Sequence, residues 1–182
     1  MASGDPVRPL EHYRDYLLML ARVHQHQALL GKLDASDVAQ ETLVKAHAKR
    51  EQFRGATNAE MMGWLRAILA NTIAEAARRY GGPQRDVDLE AALQQSSGQL
   101  EGWLADLNTG PEELAQRNER LLGLAHALAQ LLPAERSALE LHYVHGQSIS
   151  EIGQVLGRTA HAVAGLLRRG LEKLRELLGV RG

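Results

Sequence analysis

Hydrophobic positions along this chain recur at steps of three and four, the spacing of one helix face, and nowhere alternate as a strand would. Leu10, Tyr13, Leu17, Leu20 and Ala21 predict a helix over residues 9–30, stopped at Gly31. Asp34 is placed to cap a second helix from 35 to about 53, with Val38, Leu43, Ala46 and Phe53 available for burial. Arg54-Gly55-Ala56 is a break. Thr57 and Glu60 then stand at capping-box spacing, ahead of a long helix with Met61, Trp64, Leu65, Ile68, Leu69 and Ile73 on one side. Gly81-Gly82-Pro83 stops that helix, since glycine tolerates the reversal and proline cannot continue a helix.

The stretch to residue 110 has no comparable stripe. Gln94-Gln95-Ser96-Ser97-Gly98 is linker chemistry, with short helical pieces expected only at 89–93 and 100–107. Pro111-Glu112-Glu113 suits a helix start, with proline in the first turn and acids at the positive dipole end. Leu121, Leu124, Leu128 and Leu131 follow on one face, and a further helix from Pro133 carries Leu139 and Tyr143 to Gly146.

Near the end of the chain, Ser148-Ile149-Ser150-Glu151 is a second capping box. Ile152, Val155 and Leu156 fill a short helix, Gly157 makes a tight turn, and Arg158-Thr159 opens a longer helix. Its apolar positions Val163, Leu167, Gly170, Leu174 and Leu177 step by 4, 3, 4 and 3. A short helix, a glycine turn and a longer helix are the helix-turn-helix pattern, whose second helix enters the DNA major groove by its N-terminal end. Arg158, Thr159 and His161 are placed to reach bases. Arg168, Arg169 and Lys173, further along, suit phosphates, which position a protein without specifying sequence. A plain helical hairpin within a bundle would show the same apolar stripe.

Charge sharpens this picture. Overall the chain carries 21 bases and 22 acids, which alone argues against a nucleic-acid binder. Between Gly81 and Glu113, however, lie seven acids (Asp86, Asp88, Glu90, Glu101, Asp106, Glu112, Glu113) and the one base Arg85, leaving 20 bases and 15 acids elsewhere. An acidic middle therefore separates two mildly basic ends, and DNA affinity must come from placed contacts rather than a polybasic arm. The fold class expected is all-α, two small helical domains joined by an acidic linker, with boundaries at 9–80, 81–110 and 111–180. Leucine and alanine dominate the apolar content, aromatics are 4%, and there is no cysteine. Without a signal-like apolar core or a membrane-length apolar run, the sequence reads as a cytoplasmic protein with no membrane segment.

Two stretches carry a family resemblance. Leu132-Pro133-Ala134-Glu135-Arg136, then Tyr143 through Gly153, Leu156-Gly157-Arg158-Thr159, Val163 and Leu167-Arg168-Arg169-Gly170-Leu171 resemble the promoter-binding C-terminal domain, region 4, of sigma-70 family factors. Asp34-Ala35-Ser36-Asp37-Val38-Ala39-Gln40-Glu41-Thr42, Phe53-Arg54-Gly55 and Trp64-Leu65-Arg66-Ala67-Ile68-Leu69-Ala70-Asn71 resemble region 2 of the same proteins, in the same order. Two such domains with a short linker are similar to the extracytoplasmic-function (ECF) group.

The resemblance implies that the second helix docks on a coiled coil of the RNA polymerase β′ subunit through Asp37, Gln40, Glu41, Thr42 and Lys45. The residues at steps of three, one and four share much of one helix side, which without the resemblance would read as a solvated face. It implies that the loop from Arg54 to Glu60, including Asn58, captures a base flipped from −10 DNA. Trp64 is near enough to stack on such a base, although a tryptophan on an apolar stripe is more commonly core. Arg66, Asn71, Arg78 and Arg79 become candidates for −10 contacts. The helix-turn-helix would read −35 DNA while its supporting helices pack on the β flap, and the linker would pass through a basic channel meant for RNA. One departure stands out: where many relatives have Lys-Ser-Arg after the recognition-helix valine, this chain has Ala164-Gly165-Leu166. Two cations are thus absent from the docking helix, and Gly165 and Gly170 each disfavour a helix by up to about 1 kcal/mol. Control is expected from outside the two domains, an anti-sigma partner being one route.

No enzyme, cofactor or metal site is expected. His24 and His26 point to different sides of a helix, and His142 and His145 lack a third ligand. No nucleophile–base or paired-carboxylate arrangement can be built. The competing readings are a helix-turn-helix regulator acting without polymerase, which would need a dimer to span two half-sites, and a helical anti-sigma or adaptor protein.

Overall fold

The computed structural model describes residues 6–28, 33–79, 89–107 and 114–180. A short 3-10 turn, Leu10–Tyr13, leads into α1 (Arg14–Ala28). Then follow α2 (Ala35–Ala48), a 3-10 turn at Arg50–Gln52, and α3 (Asn58–Arg79). Next come α4 (Leu89–Asp106), α5 (Leu114–Ala129) and α6 (Pro133–Leu139), which continues as a π-helical turn over Glu140–Val144. The chain closes with α7 (Ile149–Leu156) and α8 (Ala160–Leu178). Among the described residues the only β feature is an isolated bridge between Pro6 and Thr57. The expected punctuation at Gly31, Gly81-Gly82-Pro83 and Pro111-Glu112-Glu113 lies outside the described residues.

The predicted caps form. The Asp34 carboxylate accepts the Ser36 N–H at 2.7 Å and starts α2. Glu60 accepts the N–H groups of Ala56 and Thr57 at 2.8 and 3.0 Å, while its own N–H donates to the Thr57 hydroxyl at 3.3 Å. These bonds favour the charged carboxylate and hold the Glu60 pKa below its ordinary value. The α-helical part of the second helix ends earlier than expected, at Ala48, and the chain tightens into the 3-10 turn before Phe53.

The largest departure from expectation is α4. One 18-residue helix runs straight through the glutamines and serines read as linker. Tertiary packing overrides weak propensity here. Leu93, Leu100, Trp103 and Leu104 are buried, and the small Ser96 and Ser97 are buried beside them. The Ser96 hydroxyl is satisfied by the Ala92 carbonyl at 3.1 Å. α4 packs on α1, α3, α5 and the π turn. One apolar cluster consequently joins Tyr16, Leu20, Leu65 and Leu69 to Leu100, Trp103, Leu124, Leu139 and Leu174. Trp103 stacks on Tyr143, ring centroids 4.9 Å apart and planes 6° from parallel. A second, smaller cluster of Ala138, Leu141, Ile152, Val163 and Leu166 joins the helix-turn-helix to α6 and the π turn.

A buried ion pair crosses the same boundary. Arg22 of α1 donates from Nε to the fully buried Glu140 carboxylate at 3.0 Å. Arg136 lies close by; burial, then the like charge of Arg22, pulls its pKa below the ordinary value, while Glu140 acts the other way.

Candidate DNA and polymerase interfaces

The helix-turn-helix is built by local contacts. The Ser148 N–H donates to Glu151 at 2.7 Å and the Glu151 N–H donates to the Ser148 hydroxyl at 3.3 Å, so two orphan donors of α7 are satisfied reciprocally. The turn needs two glycines for different reasons. Gly157 has φ +62°, a left-handed conformation that side chains disfavour. At Gly153 a Cβ would lie 2.7 Å from the Arg158 carbonyl oxygen, so only glycine admits that close backbone approach. The Thr159 hydroxyl then caps α8 by accepting the Ala162 N–H at 3.2 Å.

Arg158, Thr159 and His161 are exposed at the start of α8, as the sequence predicts. Lys173 and Arg168 are exposed further along, Arg168 paired with Glu172 at 3.2 Å. Arg169 departs from its expected phosphate role: its guanidinium lies 3.6 Å from the carboxylate of Glu135, a buried residue of α6. The apolar stripe also shifts. Leu166 is buried in the helix-turn-helix core, while Leu167 is half-buried and Leu177 is 38% exposed. Position 166 therefore presents no cation to DNA in this geometry, and only Ala164 marks an exposed place where one is absent. Gly170 has a packing reason as well, because a Cβ there would sit 3.1 Å from Leu139 Cδ1 and 3.3 Å from Glu135 Cβ.

In the N-terminal half, Arg54, Asn71, Arg78 and Arg79 are exposed. Gly55 fits under the Phe53 ring, where a Cβ would come within 2.5 Å of Phe53 Cζ. Trp64 is half-buried and packs tilted on Phe53, with centroids 5.3 Å apart, so it belongs to the core edge rather than to an open stacking platform. Two other expected −10 residues are engaged inside the chain. Asn58 is 1% exposed. Its Oδ1 accepts the Tyr13 hydroxyl, and its Nδ2 donates to Glu119 of α5 at 2.8 Å. Arg66 is half-buried and donates to the Tyr16 hydroxyl at 2.8 Å.

On α2, Asp37 and Gln40 are exposed and Glu41 is half-buried. Thr42 is a correction: it is fully buried, its hydroxyl donating to the Val38 carbonyl at 2.8 Å, and it cannot reach a partner. Lys45 is engaged with Glu41 at 3.1 Å and with Glu75 of α3. Burial disfavours its ammonium, but the bonds to Glu75 and Glu41 prevail and raise its pKa. Sequence reasoning missed Val44, which is 60% exposed. Its signal was an apolar residue off the buried stripe, at helical spacing from Asp37, Gln40 and Glu41. Among the described residues no group of three or more His, Cys, Asp or Glu could hold a metal ion, and no helix is long and apolar enough to cross a membrane.

Family descriptions match at both ends: Sigma-70 region 2 over residues 10–82 and Sigma-70 region 4 over residues 121–174. The sigma factor CarQ of Myxococcus xanthus is 32% identical over 160 residues, covering 88% of this chain and 80% of CarQ. The chain belongs to the sigma-70 family, in its ECF group. Other relatives include the ECF sigma factor SigG of Mycobacterium tuberculosis, 29% identical over 94% of this chain, and SigW of Bacillus subtilis, 26% identical over 82% of this chain and 79% of SigW. This sigma-family chain spans 48% of SigG. A solved complex of the Bartonella quintana sigma factor RpoE with the anti-sigma factor NepR is 22% identical, covers 95% of this chain and 93% of that one, and superposes with a TM-score of 0.36.

Proposed function

We propose that this chain is an ECF-type sigma factor that joins core RNA polymerase and directs promoter-specific initiation. Residues 9–80 dock on polymerase and open −10 DNA, 81–110 link, and 111–180 read −35 DNA. The observation that carries this reading is the order of matches on one chain: region 2, with a polar and partly apolar α2 face in solvent, followed by region 4, with Arg158, Thr159 and His161 exposed at the start of its second helix.

Asp37, Gln40, Glu41 and Val44 form the face for the polymerase β′ coiled coil. Lys45 acts there by fixing Glu41, since its ammonium already bonds Glu41 and Glu75. α5 and α6 support region 4 against the β flap. Arg158 and His161 contact base edges, while Lys173 and Arg168 contact phosphates. Arg54, Asn71, Arg78 and Arg79 meet −10 DNA, and Asn58 joins them once exposed. Unpairing a base costs a few kcal/mol, which contacts to the flipped base must offset.

Reconstitution with core polymerase tests the reading. A promoter-dependent transcript is expected, and Asp37→Arg should abolish the complex. Arg158→Ala should alter preference at one −35 base pair by about 1–3 kcal/mol, whereas Lys173→Ala should weaken binding evenly across sequences. A symmetric duplex complex formed without polymerase, with no transcript, would overturn it in favour of a polymerase-independent regulator.

A further inference from the structure

Three arginines line one cleft of the molecule. It opens where α1 and the start of α2 meet the end of α5 and α6, and it encloses about 630 Å³. That volume lies within the range of sites that hold small ligands. Arg14 and Arg22 line it from α1 and Arg136 from α6, together with the carboxylates of Asp15 and Asp34. Both carboxylates are already committed. Asp15 faces His126 at 2.9 Å and Arg14 at 3.7 Å, and Asp34 accepts the Ser36 N–H as the cap of α2.

The arginines are not matched in the same way. Arg22 gives its Nε to Glu140 at 3.0 Å, but its Nη2 is buried without a hydrogen-bond partner. Arg136 is half-buried, forms no ion pair among the described residues, and leaves its Nε buried and unbonded. Burial and the nearness of Arg22 both disfavour its charge, and Glu140 offsets them only in part. Two guanidiniums thus share one buried carboxylate, and one positive charge has no counterpart. Buried charges are ordinarily paired and buried donors ordinarily bonded. An oxyanion would supply both needs, since a guanidinium presents its donors as a planar fork that matches phosphate oxygens.

We propose that this cleft binds a small phosphate-bearing molecule, its phosphate seated against Arg136 and Arg22, with the more exposed Arg14 completing the cationic wall. The charge surplus selects the ligand. A cation would meet three guanidiniums, and a neutral molecule would leave Arg136 as unpaired as before. The cleft has room for more than one phosphate group, so an ester or a diphosphate fits as well as the free ion. Neither polymerase nor DNA enters the argument, so the site is a property of the chain alone.

Titration calorimetry of the full chain with inorganic phosphate, pyrophosphate and ADP, at matched ionic strength, tests the proposal. One saturable site per chain is expected, tighter for pyrophosphate than for phosphate. ADP binding as tightly as pyrophosphate would assign the site to phosphate esters, and weaker ADP binding would assign it to the free anion; both support it. The melting temperature should rise with ligand concentration, because the ligand binds the native chain. Arg136→Gln keeps a polar side chain but loses the charge, and should weaken binding about tenfold or more. Ser36→Glu places a carboxylate at the cleft from an exposed position in the first turn of α2, where an acid suits the helix. It should weaken binding to a similar degree with helicity and melting temperature maintained, which separates loss of the site from misfolding. Arg175→Gln, exposed on α8 away from the cleft, should bind as the wild type does. Absence of saturable binding to the wild type, or wild-type affinity in both Arg136→Gln and Ser36→Glu, would overturn the site. An equal loss in Arg175→Gln would overturn it too, by showing a diffuse charge effect instead of a seat.

Discussion

At the C-terminal end, α7 and α8 close a small core with Ala138 of α6 and Leu141 of the π turn and leave Arg158 and His161 in solvent. At the N-terminal end, Glu119, paired with Arg8, bonds Asn58, the buried first residue of α3. The first unit owes its turn and caps to contacts a few residues apart: Ser148 with Glu151, Gly153 with Arg158, Thr159 with Ala162. The second owes its present shape to partners 45, 61 and 111 residues away. The turn of the helix-turn-helix thus rests on short-range contacts, and the start of α3 on long-range ones.

The largest expected effect comes from the ion pair that fastens the halves together. Arg22→Ala leaves Glu140 fully buried without its 3.0 Å partner. Uncompensated buried charges cost about 3–5 kcal/mol, and the nearby Arg136 places this site at the low end, about 3 kcal/mol. For a chain of this size that is roughly 6–12 °C in melting temperature. Calorimetry should show it, and the lost stability should appear as opening of α1 and α4 in hydrogen exchange while α7 keeps its protection. Replacing both partners with apolar residues, Arg22→Met with Glu140→Leu, should recover much of the loss. Equal loss of protection in α7 and α1 would erase the distinction between the two ends.

A smaller effect is expected from the local side. Gly153→Ala places a Cβ 2.7 Å from the Arg158 carbonyl oxygen, a backbone atom that can move only by opening the turn. Overpacking of this kind costs about 1–3 kcal/mol. It should fall on −35 binding, with polymerase docking through α2 unchanged. Wild-type −35 binding in that variant would show that the turn tolerates a side chain and is less constrained than its geometry implies.

The same division decides what could be read from the sequence. Both capping boxes, the Gly157 turn, the Asp34 cap and the exposed start of α8 were legible, because each is a rule about residues three or four apart. The burial of Asn58 is not legible in the sequence because it depends on Tyr13 and Glu119, which no local pattern connects to it. α4 is not legible in the sequence because Ser96-Ser97-Gly98 are weak helix formers in its middle. What makes them helical is Trp103 on Tyr143 and the small serines lying against α1, both tertiary. Leu166 joins the buried stripe beside Val163 although the four-and-three spacing selects Leu167. Thr42 lies in the stretch that carries the resemblance, but its side chain faces the core.

Acid titration separates the two ends once more, with the smallest effect. His24 is 8% exposed among Ala21, Leu33, Ala35, Val38 and Ile73, and burial lowers its pKa. In the unfolded chain it takes up a proton near pH 6.5; in the folded chain it resists until lower pH. Between those values the unfolded state binds more protons, so stability falls as pH falls, by at most about 1.4 kcal/mol per pH unit. The Glu151 cap of α7 behaves differently. Its bond from the Ser148 N–H depresses its pKa, so its contribution is complete above the ordinary carboxylate range and is lost only as pH drops through the lower folded value. Melting temperatures taken from pH 7 to pH 5 should decline less in His24→Leu than in the wild type. Glu151→Gln should match the wild-type slope in that window and diverge only in more acidic solution. An identical decline in His24→Leu and the wild type would show that the histidine is not held neutral by the N-terminal core.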